Sequence, residues 1–265
     1  MNILITGAAS GIGRATADYF TLRGHCVFGI DIAPVADADF QCFVADITEE
    51  KPLLDVKNIL QKQGTQLDAI INIAGMHLMA SLVECDCAPM KKLVEINLCG
   101  AMMVNRVFHS LLKTDGRIVI VTSEVANLDP MPFNGLYNVS KTALDAYAQA
   151  LRQELNLIGQ KVITVRPGAV ESPLSHGSVK ATANLAESTV LYKKQARSFS
   201  GLAAKFMGKP IAPQVLAALL YKATVAKHPR LCYQKNRHLG LWLLNLLPIR
   251  WQCGLIKLLL ELKWE

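Results

Sequence analysis

A glycine-rich turn between an apolar run and a helical stretch constrains this chain most. Residues 3–6 are apolar, residues 7–13 carry the glycines, and a helical stretch follows to about residue 22. Glycine permits a tight turn and a close approach of the backbone to a phosphate. The free N–H groups at the start of the next helix attract an anion. This order indicates a nucleotide-binding βα unit, with a plain structural turn as the alternative.

The same alternation continues for two thirds of the chain. Apolar runs at 26–30, 43–45, 69–74, 117–122 and 162–165 are separated by helical stretches, among them 49–63, 88–112 and 135–157. Continuous apolar strands between helices are typical of a parallel sheet that is covered on both faces. The pattern predicts a doubly wound α/β Rossmann fold, with its ligand site at the carboxyl ends of the strands.

The regular pattern ends after Pro167. Residues 171–209 are rich in Ala, Ser and Lys and show no clear strand, which predicts a functional lid or a disordered segment. We therefore predict a single Rossmann-type domain over residues 1–238, including a substrate loop at 171–209. Residues 239–265 form an apolar C-terminal extension.

Composition excludes several classes of protein. With 51% hydrophobic and 18% charged residues, the 265-residue chain has enough apolar material for a large core. The net charge of +7 comes without a compact basic run among aromatics, so no nucleic-acid partner is expected. The seven cysteines are scattered without metal-ligand spacing, so no metal is expected. Because the first residues resemble a strand rather than a signal peptide, we expect a cytoplasmic protein.

Four side chains fit the chemistry of alcohol oxidation. Tyr137 and Lys141 share one face of a helix, and Ser123 ends the fifth strand. The tyrosine hydroxyl would exchange a proton with the substrate oxygen, which the serine would hold. A neighbouring ammonium and a cationic nicotinamide ring would both favour the phenolate. Asn97, a weak helix former in a long helix, would anchor a water that relays protons.

Two carboxylates end strands near the glycine turn. Asp31 follows Gly13 by 18 residues, where its oxygens can accept hydrogen bonds from the adenosine ribose and its charge would repel a 2′-phosphate. No Lys or Arg lies at 32–35, so NAD is favoured over NADP. Asp46 is placed to bind the adenine amine. An ordinary strand-end or turn-capping role is the alternative for both.

These motifs resemble those of the short-chain dehydrogenase/reductase family, in order and spacing, over residues 1–172. The matches are residues 6–13, 72–75, 137–141 and 167–168, together with Asn97 and Ser123. The resemblance implies a Rossmann-type fold and a catalytic tetrad of Asn97, Ser123, Tyr137 and Lys141. Its implied cofactor-binding residues are Gly7, Ser10, Gly11, Ile12, Gly13, Asp31, Asp46, Ile47, Asn72, Ala74, Gly75, Tyr137, Lys141, Pro167, Gly168, Val170 and Ser172.

The resemblance also suggests individual roles. It implies that Lys141 binds the nicotinamide ribose, that Asp46 and Ile47 face the adenine, and that Asn72 supports the cofactor. Ser172 stands where members usually have a threonine that contacts the carboxamide. The interval from Ser123 to Tyr137 is one residue longer than in most members, which makes Glu124 the alternative to Ser123.

The substrate prediction comes from the segment before Tyr137. Residues 130–136 resemble those of hydroxysteroid and retinol dehydrogenases, and residues 77–79 are placed to line the pocket mouth or simply to pack in a loop. We predict a lipophilic secondary alcohol or ketone, which is steroid-, retinoid- or long-chain-like. An NADP-dependent carbonyl reductase and a catalytically silent nucleotide sensor are the alternatives.

The apolar C-terminal stretch leaves three interpretations open. Residues 239–262 carry two apolar stripes interrupted by Pro248 and Arg250. They would pack on the domain or a sister subunit, lie in a membrane interface, or span a bilayer. The family resemblance further implies a homodimer or homotetramer that pairs the helices at 88–112 and 135–157.

Overall fold

A computed structural model describes residues 1–206 and 209–261, and it confirms the doubly wound α/β prediction. Seven parallel strands form one sheet in the order β3-β2-β1-β4-β5-β6-β7. The strands are β1 Asn2–Thr6, β2 Cys26–Asp31, β3 Gln41–Val44, β4 Leu67–Asn72, β5 Leu112–Val121, β6 Lys161–Pro167 and β7 Cys232–Lys235. The chain order reverses between β1 and β4, which is where such sheets open a ligand crevice.

Ten α-helices accompany the sheet in the described part of the chain. They are α1 Gly11–Thr21, α2 Glu50–Lys62, α3 Cys87–Val94, α4 Ala101–Phe108, α5 Gly135–Asn156, α6 Pro173–Ser188, α7 Lys193–Phe206, α8 Pro213–Val225, α9 Leu239–Leu244 and α10 Ile249–Glu261. A π-helical segment, Glu95–Gly100, joins α3 to α4.

Alternate strand residues face opposite layers of helices. Ile3 and Ile5 of β1 pack with α1 and α8, whereas Leu4 between them packs with α2, α4 and α5. This alternation follows from the two-residue period of a strand. Because both faces of the sheet are buried, each strand appears in the sequence as a continuous apolar run.

The expectation of a loop or disordered segment over 171–209 is wrong for its described residues. Ser172 caps α6, because its hydroxyl accepts from the Ser175 N–H while the Ser175 hydroxyl accepts from the Ser172 N–H. Helix α7 follows, and Leu185, Phe199 and Leu202 are buried in a third apolar cluster with Phe133. This tertiary burial stabilises helices that composition alone does not indicate. Residues 207–208 lie outside the described residues.

The C-terminal extension packs partly on its own domain. Helix α10 contacts α7, and its Leu260 is buried in the cluster around Phe133. The opposite face of α10 remains exposed, with Trp251, Leu255 and Leu258 pointing away from the domain. Among the described residues, no helix is long and apolar enough to cross a bilayer. The last residues of the extension, 262–265, lie outside the description.

Candidate active site

The parallel sheet places the predicted site residues at one edge. Thr6 ends β1, Asp31 ends β2 and Asn72 ends β4, so the glycine turn, the acidic residue and segment 73–76 leave the sheet on the same side. The Thr6 hydroxyl accepts from the N–H groups of Ile73 and Ala74, at 3.1 and 3.2 Å. This bond pair holds the chain after β4 against the glycine turn.

A cavity of about 320 Å³ opens at this edge. It is lined by eleven of the predicted cofactor-binding residues: Gly7, Ser10, Gly11, Ile12, Gly13, Asp31, Asp46, Ile47, Ala74, Gly75 and Ser172. The structure therefore brings most of the predicted set together, although what they bind remains a prediction.

The glycine turn fits a dinucleotide cradle. A Cβ on Gly13 would overlap the carbonyl oxygen of Gly7, and Gly7 has a φ of +74° that favours glycine. Gly11, at a φ of +51°, lies so close to Ser172 that a Cβ there would be 3.1 Å from the serine Cβ. Helix α1 begins at Gly11, and the N–H groups of a first turn have no partner within the helix. The turn can thus offer donors to a pyrophosphate.

Asp31 and Asp46 both line the cavity, and both also bond the backbone. Asp31 accepts from the N–H groups of Ala9 and Ala33, at 2.9 and 3.0 Å, through different oxygens. Each oxygen keeps a further lone pair for a ribose hydroxyl. Asp46 Oδ1 accepts from the N–H and hydroxyl of Thr48, at 2.9 and 2.7 Å. Both residues therefore bond turns of the backbone, as the alternative interpretation expected, and both also line the cavity.

The remaining predicted cofactor residues outside the tetrad do not line the cavity. The buried Asn72 donates to Asn105 Oδ1 at 2.8 Å, and its own Oδ1 has no partner among the described residues. Pro167 ends β6 and is buried, and a Cβ on Gly168 would overlap the carbonyl oxygen of Asn236. Val170 bridges to Ile211. Their contacts are with other residues of the protein, the Ser172 hydroxyl caps α6, and a role of these residues in cofactor binding stays a prediction.

The four predicted catalytic residues lie together. The Ser123 side chain neighbours the Tyr137 hydroxyl and lowers its pKa, and Lys141 Nζ lies 5.9 Å from the centroid of the tyrosine ring. Lys141 is buried, and its Nζ is 3.4 Å from the carbonyl oxygen of Val121. Gly75 separates Lys141 from Asn97, since a Cβ on it would be 3.4 Å from Nζ and 3.0 Å from Asn97 Oδ1.

Burial controls the proton affinities of this group. Desolvation raises the pKa of Tyr137 to about 12, against an opposing hydrogen bond from Ser123. Desolvation also lowers the pKa of Lys141 to about 8. Desolvation is thus the largest influence on Tyr137 in the protein alone, and the combined effect of the ammonium and a bound nicotinamide stays a prediction. At neutral pH Tyr137 is a protonated phenol.

Glu124 is not the group that contacts Tyr137. Its Oε2 accepts from the His238 N–H at 2.7 Å, just before α9, and burial raises the pKa of its carboxyl. Ser123 is the hydroxyl that neighbours Tyr137, and its catalytic role stays a prediction. The charge of Glu124 does contribute to the raised pKa of the tyrosine.

His77 is a neighbour of Tyr137 that the sequence placed only at the pocket mouth. The two ring centroids are 4.4 Å apart, and His77 Nε2 lies 2.9 Å from Asn134 Oδ1, to which it donates. Burial lowers the pKa of His77 to about 4, so the ring is neutral at physiological pH. A lone histidine after a strand gives no sequence signal for this contact.

Comparison with known proteins identifies the family of this chain. The short chain dehydrogenase family model matches residues 1–183. An NADPH-dependent 1-acyldihydroxyacetone phosphate reductase from Schizosaccharomyces pombe is 32% identical over 65% of this chain and 60% of its own length. A 3-ketodihydrosphingosine reductase from Bacteroides thetaiotaomicron is 31% identical over 63% of this chain and 61% of its own.

A solved structure shows the same fold. A short chain dehydrogenase family protein from Francisella tularensis subsp. tularensis SCHU S4 aligns with a TM-score of 0.74 and 23% identity, over 88% of this chain and 96% of that one. The chain belongs to the short-chain dehydrogenase family, a family of NAD(P)-dependent oxidoreductases. The match spans less than two thirds of each of the two reductases named above.

Proposed function

We propose that this protein transfers a hydride between NAD(H) and a lipophilic secondary alcohol or ketone. The observation that carries the proposal is the grouping of Ser123, Tyr137 and buried Lys141 beside Gly75 of the glycine-lined cavity. Among steroid-, retinoid- and long-chain-like substrates, we favour the long-chain class. Two relatives near 30% identity are named as reductases of an acylated and a sphingoid ketone.

The chain's own residues handle the proton. The residues of the glycine-lined cavity would hold NAD(H), which would supply the hydride for reduction of the carbonyl carbon or accept it in the reverse reaction. Ser123 holds the substrate oxygen, and Tyr137 gives it a proton during reduction. A phenol with a pKa of about 12 is protonated at neutral pH, which suits this donor role. Lys141 and Asn97, on either side of Gly75, are placed to return a proton to the tyrosine.

Asp31 supports NAD over NADP. Its carboxylate lies in the cavity at the end of β2, where it would repel a 2′-phosphate. The NADPH dependence of the Schizosaccharomyces pombe relative favours the alternative of an NADP-dependent carbonyl reductase. The other alternative is a nucleotide sensor without catalytic activity. The grouping of Asn97, Ser123, Tyr137 and Lys141 favours an active enzyme over such a sensor.

A cofactor and substrate screen tests the proposal. The purified full chain is mixed with NADH or NADPH and a panel of steroid, retinoid and long-chain ketones, and the loss of reduced-cofactor fluorescence is recorded. We expect oxidation of NADH with a lipophilic ketone, faster than with NADPH. A strong NADPH preference would contradict the role given to Asp31. Nucleotide binding without turnover of any ketone or alcohol would favour the sensor.

We further propose that the C-terminal helices contact an anionic membrane surface. On α10, Trp251, Leu255 and Leu258 follow helical spacing on one face, and Trp251 is 70% exposed. The exposed cations Arg250 and Lys257 lie together along one edge of this face, next to the groove side of the helix. Leu239, Leu243 and Leu246 form a second exposed stripe in and after α9. An apolar face with tryptophan and flanking cations is typical of helices that lie in a membrane interface.

Liposome flotation tests this contact. A variant with serine at Trp251, Leu255 and Leu258 should lose flotation with vesicles of phosphatidylcholine and phosphatidylserine. The matched control places serine at Leu22 and Leu157, two highly exposed leucines near the amino ends of β2 and β6. Equal flotation of the two variants would contradict the proposal.

The homodimer or homotetramer also stays a proposal. Exposed Met102 on α4 and Val139 on α5 are apolar positions on the helices expected to pair with their copies. Sedimentation of the full chain measures the assembly, and a monomer at micromolar concentration would contradict it.

A further inference from the structure

A second cavity, of about 620 Å³, shares no lining residue with the glycine-lined one. We call it the tail groove. It is formed by Ser81, Leu82 and Val83, by Pro130, Met131, Pro132, Phe133 and Gly135, by Tyr192 just before α7 and Gln195 in it, and by Cys253, Ile256, Lys257, Leu260 and Glu261 of α10. Its walls therefore come from the segment after β4, the loop before α5 and two C-terminal helices.

The tail groove and the catalytic tyrosine are built from the same two chain segments. At one end of these segments, the ring of His77 contacts the ring of Tyr137. A few residues away, the Ala80 N–H donates to the carbonyl oxygen of Phe133 at 2.9 Å. Beyond that bond, the same two segments, residues 81–83 and 130–135, line the groove. The two segments that bring His77 and Tyr137 together thus continue directly into the walls of the groove.

The groove has the chemistry of a hydrocarbon site. Most of its lining is aliphatic or aromatic, and its charges lie on α10 in the exposed side chains of Lys257 and Glu261, 3.9 Å apart. A volume of this size is typical of pockets for small lipophilic ligands. Helix α10 gives one face, with Ile256 and Leu260, to the groove and the opposite face, with Trp251 and Leu258, to solvent.

We infer that the tail groove holds the hydrocarbon tail of a long-chain ketone or alcohol whose reacting carbon lies at Tyr137. The inference rests on the proposed function and narrows it to substrates with an extended aliphatic chain. Burial of each methylene should improve binding about fourfold until the groove is full. Chain length is then the main determinant of KM.

Groove-filling substitutions test the inference. Cys253→Trp and Val83→Trp place a large side chain in the groove from opposite walls, at positions that are exposed and should tolerate it. Cys26→Trp is the matched control, because Cys26 is an exposed cysteine at the start of β2 and lies outside the groove. The kcat/KM ratio of a long-chain methyl ketone to butanone is measured for each variant of the full chain.

We expect both groove variants to lower this ratio by about tenfold or more, because the tryptophan would prevent the burial of roughly two methylenes of the substrate tail. The control should retain the ratio of the unaltered protein. Equal ratios in all four proteins would overturn the inference. So would a change in sedimentation confined to the groove variants, which would make the groove an interface between copies.

A binding measurement separates this inference from the proposed function. The anisotropy of a fluorescent long-chain alcohol is recorded with the NAD-loaded protein. Loss of binding in both groove variants, but not in the control, supports the groove even if no ketone is turned over. Equal binding in all proteins overturns it even if butanone is reduced. Failure to reduce any ketone would instead contradict the proposed function.

Discussion

Asn97 binds both polar groups of the Met76 backbone. Its Oδ1 accepts from the Met76 N–H at 2.7 Å, and its Nδ2 donates to the Met76 carbonyl oxygen at 2.9 Å. The same Nδ2 donates to the Ser140 hydroxyl at 2.9 Å, one residue before Lys141. One amide thus ties the segment after β4 to the helix of the catalytic pair. Asn97 lies in the π-helical segment Glu95–Gly100, and π-helical turns are frequent at functional sites.

Replacing Asn97 by aspartate removes only the donor. The Asn97→Asp variant keeps an acceptor for the Met76 N–H but leaves the Met76 carbonyl and the Ser140 hydroxyl without their donor. We expect the free energy of unfolding to fall by about 1–3 kcal/mol, measured by urea denaturation. Asn156→Asp, at the exposed end of α5, should change it by less than about 0.5 kcal/mol. Equal effects would show that the amide bonds contribute nothing.

Lys141 should lower the stability of the fold at neutral pH. Burial brings its pKa from the ordinary 10.5 to about 8, so the unfolded chain binds more protons than the folded chain between these values. Stability from this group therefore rises as pH increases from about 8 to 10.5. Lys141→Met should remove this rise and stabilise the protein at pH 7 by roughly 1–3 kcal/mol, while abolishing turnover.

Urea denaturation at several pH values measures this effect. Lys62→Met, in the exposed last turn of α2, serves as the control and should keep the pH dependence of the unaltered protein. A Lys141→Met variant that is less stable at pH 7 would contradict the assignment of desolvation as the dominant effect on the lysine.

The glycine turn should not tolerate a side chain at position 13. In Gly13→Ala the new Cβ overlaps the Gly7 carbonyl, so the turn must shift away from the cavity. We expect NADH to bind about tenfold more weakly or worse, measured by its fluorescence. Gly254→Ala in α10 is the control, because a Cβ there meets no atom within 4 Å. An unchanged NADH affinity in Gly13→Ala would place the cofactor elsewhere.

Asp31 should control the choice of cofactor. In Asp31→Asn the side chain keeps an acceptor for the Ala9 N–H but loses the charge that repels a 2′-phosphate. We expect the ratio of kcat/KM for NADPH to that for NADH to rise about tenfold. Asp115→Asn, an exposed change near the start of β5, should leave the ratio unaltered. If the ratio in Asp31→Asn equals that of the unaltered protein, groups other than Asp31 determine the choice between NADH and NADPH.

Local patterns in the sequence predicted the sheet and most of the cavity. The glycine turn at 7–13 and the helical spacing of Tyr137 and Lys141 each act over a few residues, so their geometry follows from the sequence alone. The strand β7 and the helix α8 were not predicted, and β5 begins five residues earlier than its apolar run.

The features that the sequence did not reveal depend on tertiary contacts. Helices α6 and α7 are stabilised by burial under α10, which no local pattern in their polar sequence indicates. The pKa of Tyr137 depends on how deeply the fold buries it. Asn72 and Gly168 lie beside the cavity residues in sequence, yet their side-chain positions face Asn105 and Asn236. Only the packed structure makes these distinctions.

The most direct test of the central claim removes a single oxygen atom. Tyr137→Phe keeps the ring against His77 but deletes the hydroxyl that neighbours Ser123. We expect kcat for a lipophilic ketone to fall by about 10²–10⁴-fold, while the Kd for NADH stays within about twofold of the unaltered value. A Tyr137→Phe protein that retains the kcat of the unaltered protein would contradict the proton-transfer role of Tyr137.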